Sequence, residues 1–348
     1  MRILSPCRVC SPVATKLCQT QQFLNSFLFL FWGVRGCRST SHPKRKVAQQ
    51  LRILLISPTG QIGWELQRTL APLGQVVAAG RASPDHFLNL EDPDSIRKTV
   101  NAVMPNLIVN AAAYTAVDRA EDEVEKARTV NGIAPGILAD AAKRVGAGLV
   151  HYSTDYVFSG DKITPYTEAD EPGPRNVYGK TKLEGEQAIQ AIGIAHLILR
   201  TSWVYGIRGR NFLLSMLRLF RERDEVKVVD DQRGGPTWSR MIAEATAQLL
   251  IRTQGDLRQS AELYHLSSTG ETSWHGFATK ILEFAVHCRA IREGACLVKP
   301  ISTRDYPITT PRPAYTVLAN DKLAADFGLR LPAWENQLAL CMADLHPG

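Results

Sequence analysis

The segment from residue 51 to residue 70 restricts the fold more than any other. Leu51–Ile56 reads Leu-Arg-Ile-Leu-Leu-Ile, an apolar run with one charge, as suits a strand covered on both faces. Ser57-Pro58-Thr59-Gly60-Gln61-Ile62-Gly63 follows, and Trp64, Leu66 and Leu70 then recur at helical spacing. The alternation continues with a strand at 76–79 and a helix to residue 103, opened by Asp92 as N-cap and Pro93 as first helical residue. Strands at 107–111, 148–153 and 197–202 alternate with helices at 121–145 and 176–192. This pattern predicts an α/β protein with a doubly wound parallel sheet.

Beyond residue 205 the alternation loosens. Helices are expected at 212–221, 242–251, 274–286, 320–327 and 334–345, a short strand at 263–266, and loop over 299–316, which is rich in Pro, Thr and aromatics. The expected organisation is a leader at 1–50 outside any domain, a main domain at 51–205, and a smaller C-terminal part at 206–348, with the chain crossing between the last two.

Charge separates the leader from the rest. The formal net charge is +7, yet residues 1–50 hold eight basic and no acidic residues, which leaves 51–348 at −1. The basicity therefore gives no reason to expect nucleic acid as a partner. The longest apolar stretch of the leader, 27–34, is too short to span a bilayer, so no membrane association is expected. Two readings remain for the leader: an acid-free transit peptide, or upstream sequence read as protein, with Val47 as an alternative start. The second is preferred. Cys7 and Cys10 have no second pair nearby to complete a zinc site. Cys288, Cys296 and Cys341 make no disulfide framework, which suits a reducing, cytoplasmic setting.

Three signals carry chemistry. Gly60, Gln61, Ile62 and Gly63 sit where a strand turns into a helix, so backbone N–H groups and the helix dipole converge on a spot suited to a pyrophosphate. Ser57 stands where such turns usually begin with glycine, and a tight turn without ligand is the competing reading. Strand two ends Ala79-Gly80-Arg81. Where NAD enzymes place a carboxylate for the ribose 2′-hydroxyl there is only Gly80, and the Arg81 guanidinium could pair with a 2′-phosphate. This favours NADPH, with NADH as the alternative, and a solvated surface arginine as the plain one. Tyr178 and Lys182 are four residues apart, on one face of a helix. An ammonium beside a phenol favours the phenol's ionised form. Upstream, Thr154 closes a strand at the carboxyl edge where open α/β sheets bind ligands, and its hydroxyl can hydrogen-bond a carbonyl oxygen gaining charge. His151, inside that strand, reads as a structural residue.

Together these residues resemble the extended short-chain dehydrogenase/reductase superfamily, with its Rossmann-like fold, and within it the dTDP-4-dehydrorhamnose reductase family. The matching strings begin at Thr59-Gly60-Gln61-Ile62-Gly63-Trp64, Asn110-Ala111-Ala112-Ala113-Tyr114, His151-Tyr152-Ser153-Thr154-Asp155, Asn176-Val177-Tyr178-Gly179-Lys180-Thr181-Lys182, Arg200-Thr201-Ser202-Trp203 and Arg312-Pro313. The resemblance implies that Gln61 and Ile62 contact the cofactor pyrophosphate. Ala112, Ala113 and Tyr114 would line its adenine and ribose side, and Tyr152 would lie near the nicotinamide. Asn89 and Leu90 match another cofactor position, where the family usually has an acidic residue. Tyr178 matches the proton donor and Lys182 its partner. Thr154, Asp155 and Trp203 match substrate contacts, and Arg312 is a candidate partner for the substrate phosphates. Some members are homodimers that use Mg2+, but no ligand cluster in this sequence establishes a metal.

The expected activity is NADPH-dependent reduction of the C4 keto group of dTDP-4-dehydro-L-rhamnose, the nucleotide-sugar substrate, to dTDP-L-rhamnose, the last step of dTDP-rhamnose biosynthesis. The alternatives are another sugar-nucleotide reductase or epimerase of the superfamily, or a non-catalytic subunit resembling the regulatory subunit of methionine adenosyltransferase. A dehydratase is disfavoured because Tyr156, not Glu, follows Asp155.

Overall fold

A computed structural model describes residues 51–253, 257, 262–307 and 310–345. The expectations for the leader and for Val47 lie outside the described residues. In chain order the strands are β1 (Leu51–Ile56), β2 (Gly74–Ala79), β3 (Leu107–Asn110), β4 (Gly148–Thr154), β5 (His196–Thr201), β6 (Val204–Tyr205), β7 (Glu225–Val229), β8 (Arg233–Gly234), β9 (Thr237–Trp238), β10 (Glu262–His265), β11 (Thr272–Ser273) and β12 (Leu297–Ile301). The helices are α1 (Gln61–Thr69), α2 (Pro93–Val103), α3 (Val117–Ala120), α4 (Val124–Arg128), α5 (Ala134–Val145), α6 (Val177–Ile192), α7 (Phe212–Glu222), α8 (Ser239–Arg252), α9 (Trp274–His287), α10 (Asp321–Phe327) and α11 (Trp334–Leu345).

Six strands form one sheet in the order β10-β5-β4-β3-β1-β2, and every pairing in it is parallel. The chain winds from β1 outward to β2 and then returns to the other side of β1 with β3. The strand order therefore reverses at β1 and β3, and a crevice opens at their carboxyl ends. Alternation along the strands feeds two cores. Ile53 and Leu55 pack with Leu66 of α1, Leu70 at its C-terminal cap, and Ile242 and Leu249 of α8. Leu54 and Ile56 face the other way, toward Ile96 of α2, Leu138 of α5 and Ile189 of α6. Both layers are thus built from the one continuous apolar run at 51–56. The second half of the chain contributes α8 and β10 to this body. A third core joins Leu213 and Phe220 of α7, Phe277 and Ile281 of α9, and Leu338 and Cys341 of α11.

The sequence pattern does not predict β7 or the two-residue strands, and two further segments differ from the sequence expectation. The helix expected over 121–145 is interrupted by a wide π-type turn at Thr129–Ile133 before α5. Pro135 lies in the first turn of α5, where its missing N–H costs no helical bond. The turn also lets α6 approach closely: a Cβ on Gly185 would lie 2.1 Å from the Asn131 carbonyl oxygen. The segment expected as loop begins with β12, paired in parallel with β7. Pro300 is tolerated because this is a two-stranded edge ladder.

The turn after β1 carries strain. Ser57 adopts φ +65°, left-handed backbone that glycine enters freely and serine does not. Gly63 locks it there, since a Cβ on Gly63 would come within 2.0 Å of the Ser57 carbonyl oxygen. Ser57→Gly should therefore stabilise the protein by about 0.5–1 kcal/mol, the relief of strain exceeding the added chain entropy of glycine. Urea unfolding measures this, and an unchanged or lower midpoint at equal slope would contradict it.

Candidate active site

A cleft of about 520 Å³ opens at the carboxyl ends of β1, β3 and β4. The β1–α1 turn contributes Gly60, Gln61 and Ile62 to its wall, and β3 leads into Ala112 and Ala113. No side chain caps the N-terminus of α1, so its first N–H groups are available to an anion. The Gln61 Oε1 accepts a hydrogen bond from Asn211 Nδ2 at 2.9 Å, tying the turn to the loop after β6. Gly63 sits below the turn and gives it room. This end of the cleft fits a dinucleotide.

The opposite wall gathers Tyr152, Thr154, Asp155, Tyr178, Lys182, Trp203 and Arg312. The β4 strand supplies Thr154 at its last position. The N-terminus of α6 is fixed by Asn176, whose Oδ1 accepts from Gly179 N at 2.8 Å, and the helix then turns Tyr178 and Lys182 to the same side. Burial raises the Tyr178 phenol well above its ordinary range, and the Thr154 hydroxyl beside it opposes the shift. The phenol is therefore protonated at neutral pH. Lys182 is 1% exposed, with its Nζ donating to the Tyr152 carbonyl at 2.6 Å. Burial lowers its amine to about 8, against the opposing charge of Glu186.

Thr154 Oγ1 donates to Asp155 Oδ1 at 3.1 Å and accepts from Tyr156 N at 3.2 Å. Asp155 also accepts from Ser202 Oγ at 2.9 Å. Burial pushes this carboxyl up to about 6, while the hydroxyls of Thr316, Ser202 and Thr154 hold it back. Arg312 donates in a fork to Asp118 at 2.8 and 3.0 Å and to the Tyr156 hydroxyl at 3.1 Å. Trp203 lies at φ +44°, a strained position for a bulky residue. It is held by stacking on Trp274, with ring centroids 3.5 Å apart and planes 4° apart. Its ring also covers Gly234, where a Cβ would lie 2.4 Å away. Trp274 and Arg312 line a second cavity of about 590 Å³ as well, with Gln232 and Tyr306.

Arg81, Asn89, Leu90 and Tyr114 lie outside the cleft lining, whereas Tyr152 lines it through atoms other than its hydroxyl. Arg81 is exposed and pairs with Glu91 at 3.8 Å. Asn89 Oδ1 accepts from Glu91 N at 3.2 Å, and Leu90 is buried in the core beneath α2. The Tyr114 hydroxyl donates to Glu123 Oε2 at 3.1 Å. Tyr152 turns its side chain away toward α8, its hydroxyl 2.7 Å from Thr246 Oγ1. Sequence reasoning missed Ser202, Thr316 and Trp274. Ser202 adjoins Trp203 in a quoted string and could have been found. Trp274 and Thr316 reach the site only through the fold.

Residues 51–346 match the family described as RmlD substrate binding domain. A protein of Burkholderia thailandensis named dTDP-4-dehydrorhamnose reductase is 47% identical over 302 residues, which cover 85% of this chain and 99% of that protein. The chain belongs to the dTDP-4-dehydrorhamnose reductase family. The family's Escherichia coli K12 member is 44% identical over 285 residues, 82% of this chain and 95% of that protein. A crystal structure of the Bacillus anthracis member in complex with NADP matches with a TM-score of 0.76 and 33% identity, covering 85% of this chain and all of that one. Among the described residues no group of three or more His, Cys, Asp or Glu is placed to hold a metal ion. Among the same residues no helix is long and apolar enough to cross a membrane.

Asp155 yields a pH test. Its folded pKa lies above the unfolded one, so the folded state binds more protons between the two values, and stability falls as pH rises from about 4 to about 6. Asp155→Asn should remove this slope. Urea midpoints across that window measure it, and parallel curves for the two proteins would contradict the assignment.

Proposed function

We propose that the protein reduces the C4 keto group of dTDP-4-dehydro-L-rhamnose with NADPH, giving dTDP-L-rhamnose as the last step of dTDP-rhamnose biosynthesis. The observation that carries this reading is the meeting of Thr154, Tyr178 and Lys182 in the cleft beside the β1–α1 turn. When bound, the nicotinamide supplies the hydride.

The chain's own residues do the rest. Backbone N–H groups at Gln61 and Ile62 bind the pyrophosphate, with Gly60 and Gly63 leaving room for it. Ala112 and Ala113 line the adenine and ribose side, Tyr114 follows them at its edge, and Arg81 swings from Glu91 to the 2′-phosphate. Tyr178 gives its phenolic proton to the sugar O4. The Thr154 hydroxyl rotates from Asp155 to the same oxygen and stabilises the charge that develops there. Lys182 holds the nicotinamide ribose. Trp203 and Asp155 bound the sugar, and Arg312 stands between the two cavities, where the nucleotide diphosphate would pass. In this reading residues 51–205 mainly serve the cofactor and 206–348 mainly the sugar nucleotide. The enzyme works in the cytoplasm, with a homodimer as the assembly that the resemblance suggests.

The deciding experiment follows NADPH oxidation by the full chain with the 4-keto-L-sugar nucleotide and identifies the product. A folded, NADPH-binding sample that oxidises none of it would defeat the reading. Tyr178→Phe should lower kcat by roughly 10²–10⁴-fold while NADPH affinity stays within a few-fold. Turnover like that of the wild type would remove Tyr178 from the reaction. Arg81→Ala should weaken NADPH binding by about tenfold or more and leave NADH binding nearly unchanged. Equal losses for both cofactors would remove Arg81 from the 2′-phosphate.

A further inference from the structure

A buried chain of hydrogen bonds runs behind the catalytic face. The backbone N–H of Ala112 donates to Asn110 Oδ1 at 3.1 Å. The same amide presents its Nδ2 to His151 Nδ1 at 3.1 Å. On the far side of the ring, His151 Nε2 lies 3.1 Å from Lys182 Nζ. Asn110, His151 and Lys182 are each 1% exposed, so water cannot relieve a mismatch among them.

The direction of this chain is fixed at its start. A backbone N–H can only donate, so Asn110 must turn its oxygen to Ala112 and its NH2 to the imidazole. His151 Nδ1 must then accept, and in a neutral ring the proton sits on Nε2. That N–H points at Lys182. An ammonium has no lone pair to receive it, whereas an amine has one. The amine also keeps one N–H for the Tyr152 carbonyl and one for the cleft.

We propose that His151 is a positioning residue for Lys182: anchored by Asn110 in the Nε2–H tautomer, it presents a donor to the lysine nitrogen and favours its neutral amine before cofactor and substrate bind. A neutral lysine leaves the neighbouring Tyr178 a phenol, the form that can give a proton. This rests on the roles given above to Tyr178 and Lys182. The chain also links the cofactor-side segment at Ala112 to the lysine, so a ligand that shifts this backbone acts on Lys182 through two side chains.

The surroundings agree. Burial is the main cause that lowers the Lys182 amine to about 8, and burial with Lys182 itself holds His151 well below its ordinary value. Glu186, one turn along α6, opposes the shift but is committed to Arg200 of β5 by a fork at 3.0 and 2.7 Å. Tyr178 on α6 is faced by Asp155 and Tyr156 after β4, and Arg312, in the same cleft lining, donates to Tyr156.

The test reads the tautomer directly. In full-length protein labelled with 15N-histidine, long-range 1H–15N correlation should show His151 protonated at Nε2, its signal assigned by loss in His151→Gln. Protonation at Nδ1 overturns the proposal whether or not the protein reduces any sugar nucleotide, so this result separates it from the proposed activity. Asn110→Asp keeps an oxygen for Ala112 but offers a second acceptor to the ring, which moves the proton to Nδ1 and gives Lys182 an acceptor. The ammonium then persists, favours the Tyr178 phenolate, and shifts the alkaline limb of kcat/KM down by about one pH unit. A merely structural role would lower stability and leave the limb in place. A variant shown to carry the Nδ1 proton with an unmoved limb would also overturn the proposal.

Discussion

Parallel pairing is the constraint on which the rest of the structure depends. Because β1, β3 and β4 run in one direction, their carboxyl ends share one edge of the sheet. The β1–α1 turn, the segment after Asn110 and the hydroxyl of Thr154 therefore meet without any of them being near the others in sequence. The reversal of strand order at β1 and β3 separates the flanking connections and leaves the crevice between them. Helix α6 then lays Tyr178 and Lys182 along the β4 wall of that crevice.

The site is held in place by burial as much as by bonds. Lys182 and Asp155 are enclosed and Tyr178 is half-buried, and in each case desolvation is the main cause that moves the group's proton affinity toward its neutral form. Neutral forms suit a site that must give a proton rather than take one. Two strained residues frame the cleft. Ser57 is locked by the backbone beneath Gly63, and Trp203 by the Trp274 ring and the bare face of Gly234. In both cases a glycine elsewhere in the chain makes room for the strained residue.

Much of this was legible in the residues. The run Leu-Arg-Ile-Leu-Leu-Ile gave the first strand with its bounds, and the spacing of Tyr178 and Lys182 gave their shared helix face. The interruption at Thr129–Ile133 escaped, because its close contact with Gly185 lies on another helix, outside local periodicity. β12 escaped because its partner is β7, far away in sequence, and its Pro300 argued against a strand. His151 looked like core. Its tie to Lys182 depends on a register between strands and helix that local pattern does not contain.

Sequence alone determined the alternation of strands and helices, the nucleotide turn and the order of the chemical groups along the chain, because periodicity and turn chemistry are local properties. Only the tertiary structure decided which groups are buried together, which way the Asn110 amide and the His151 ring must face, and that Trp274 and Thr316 belong to the site. Those outcomes depend on desolvation and on hydrogen-bond direction, and both are set by neighbours that the chain brings from far away.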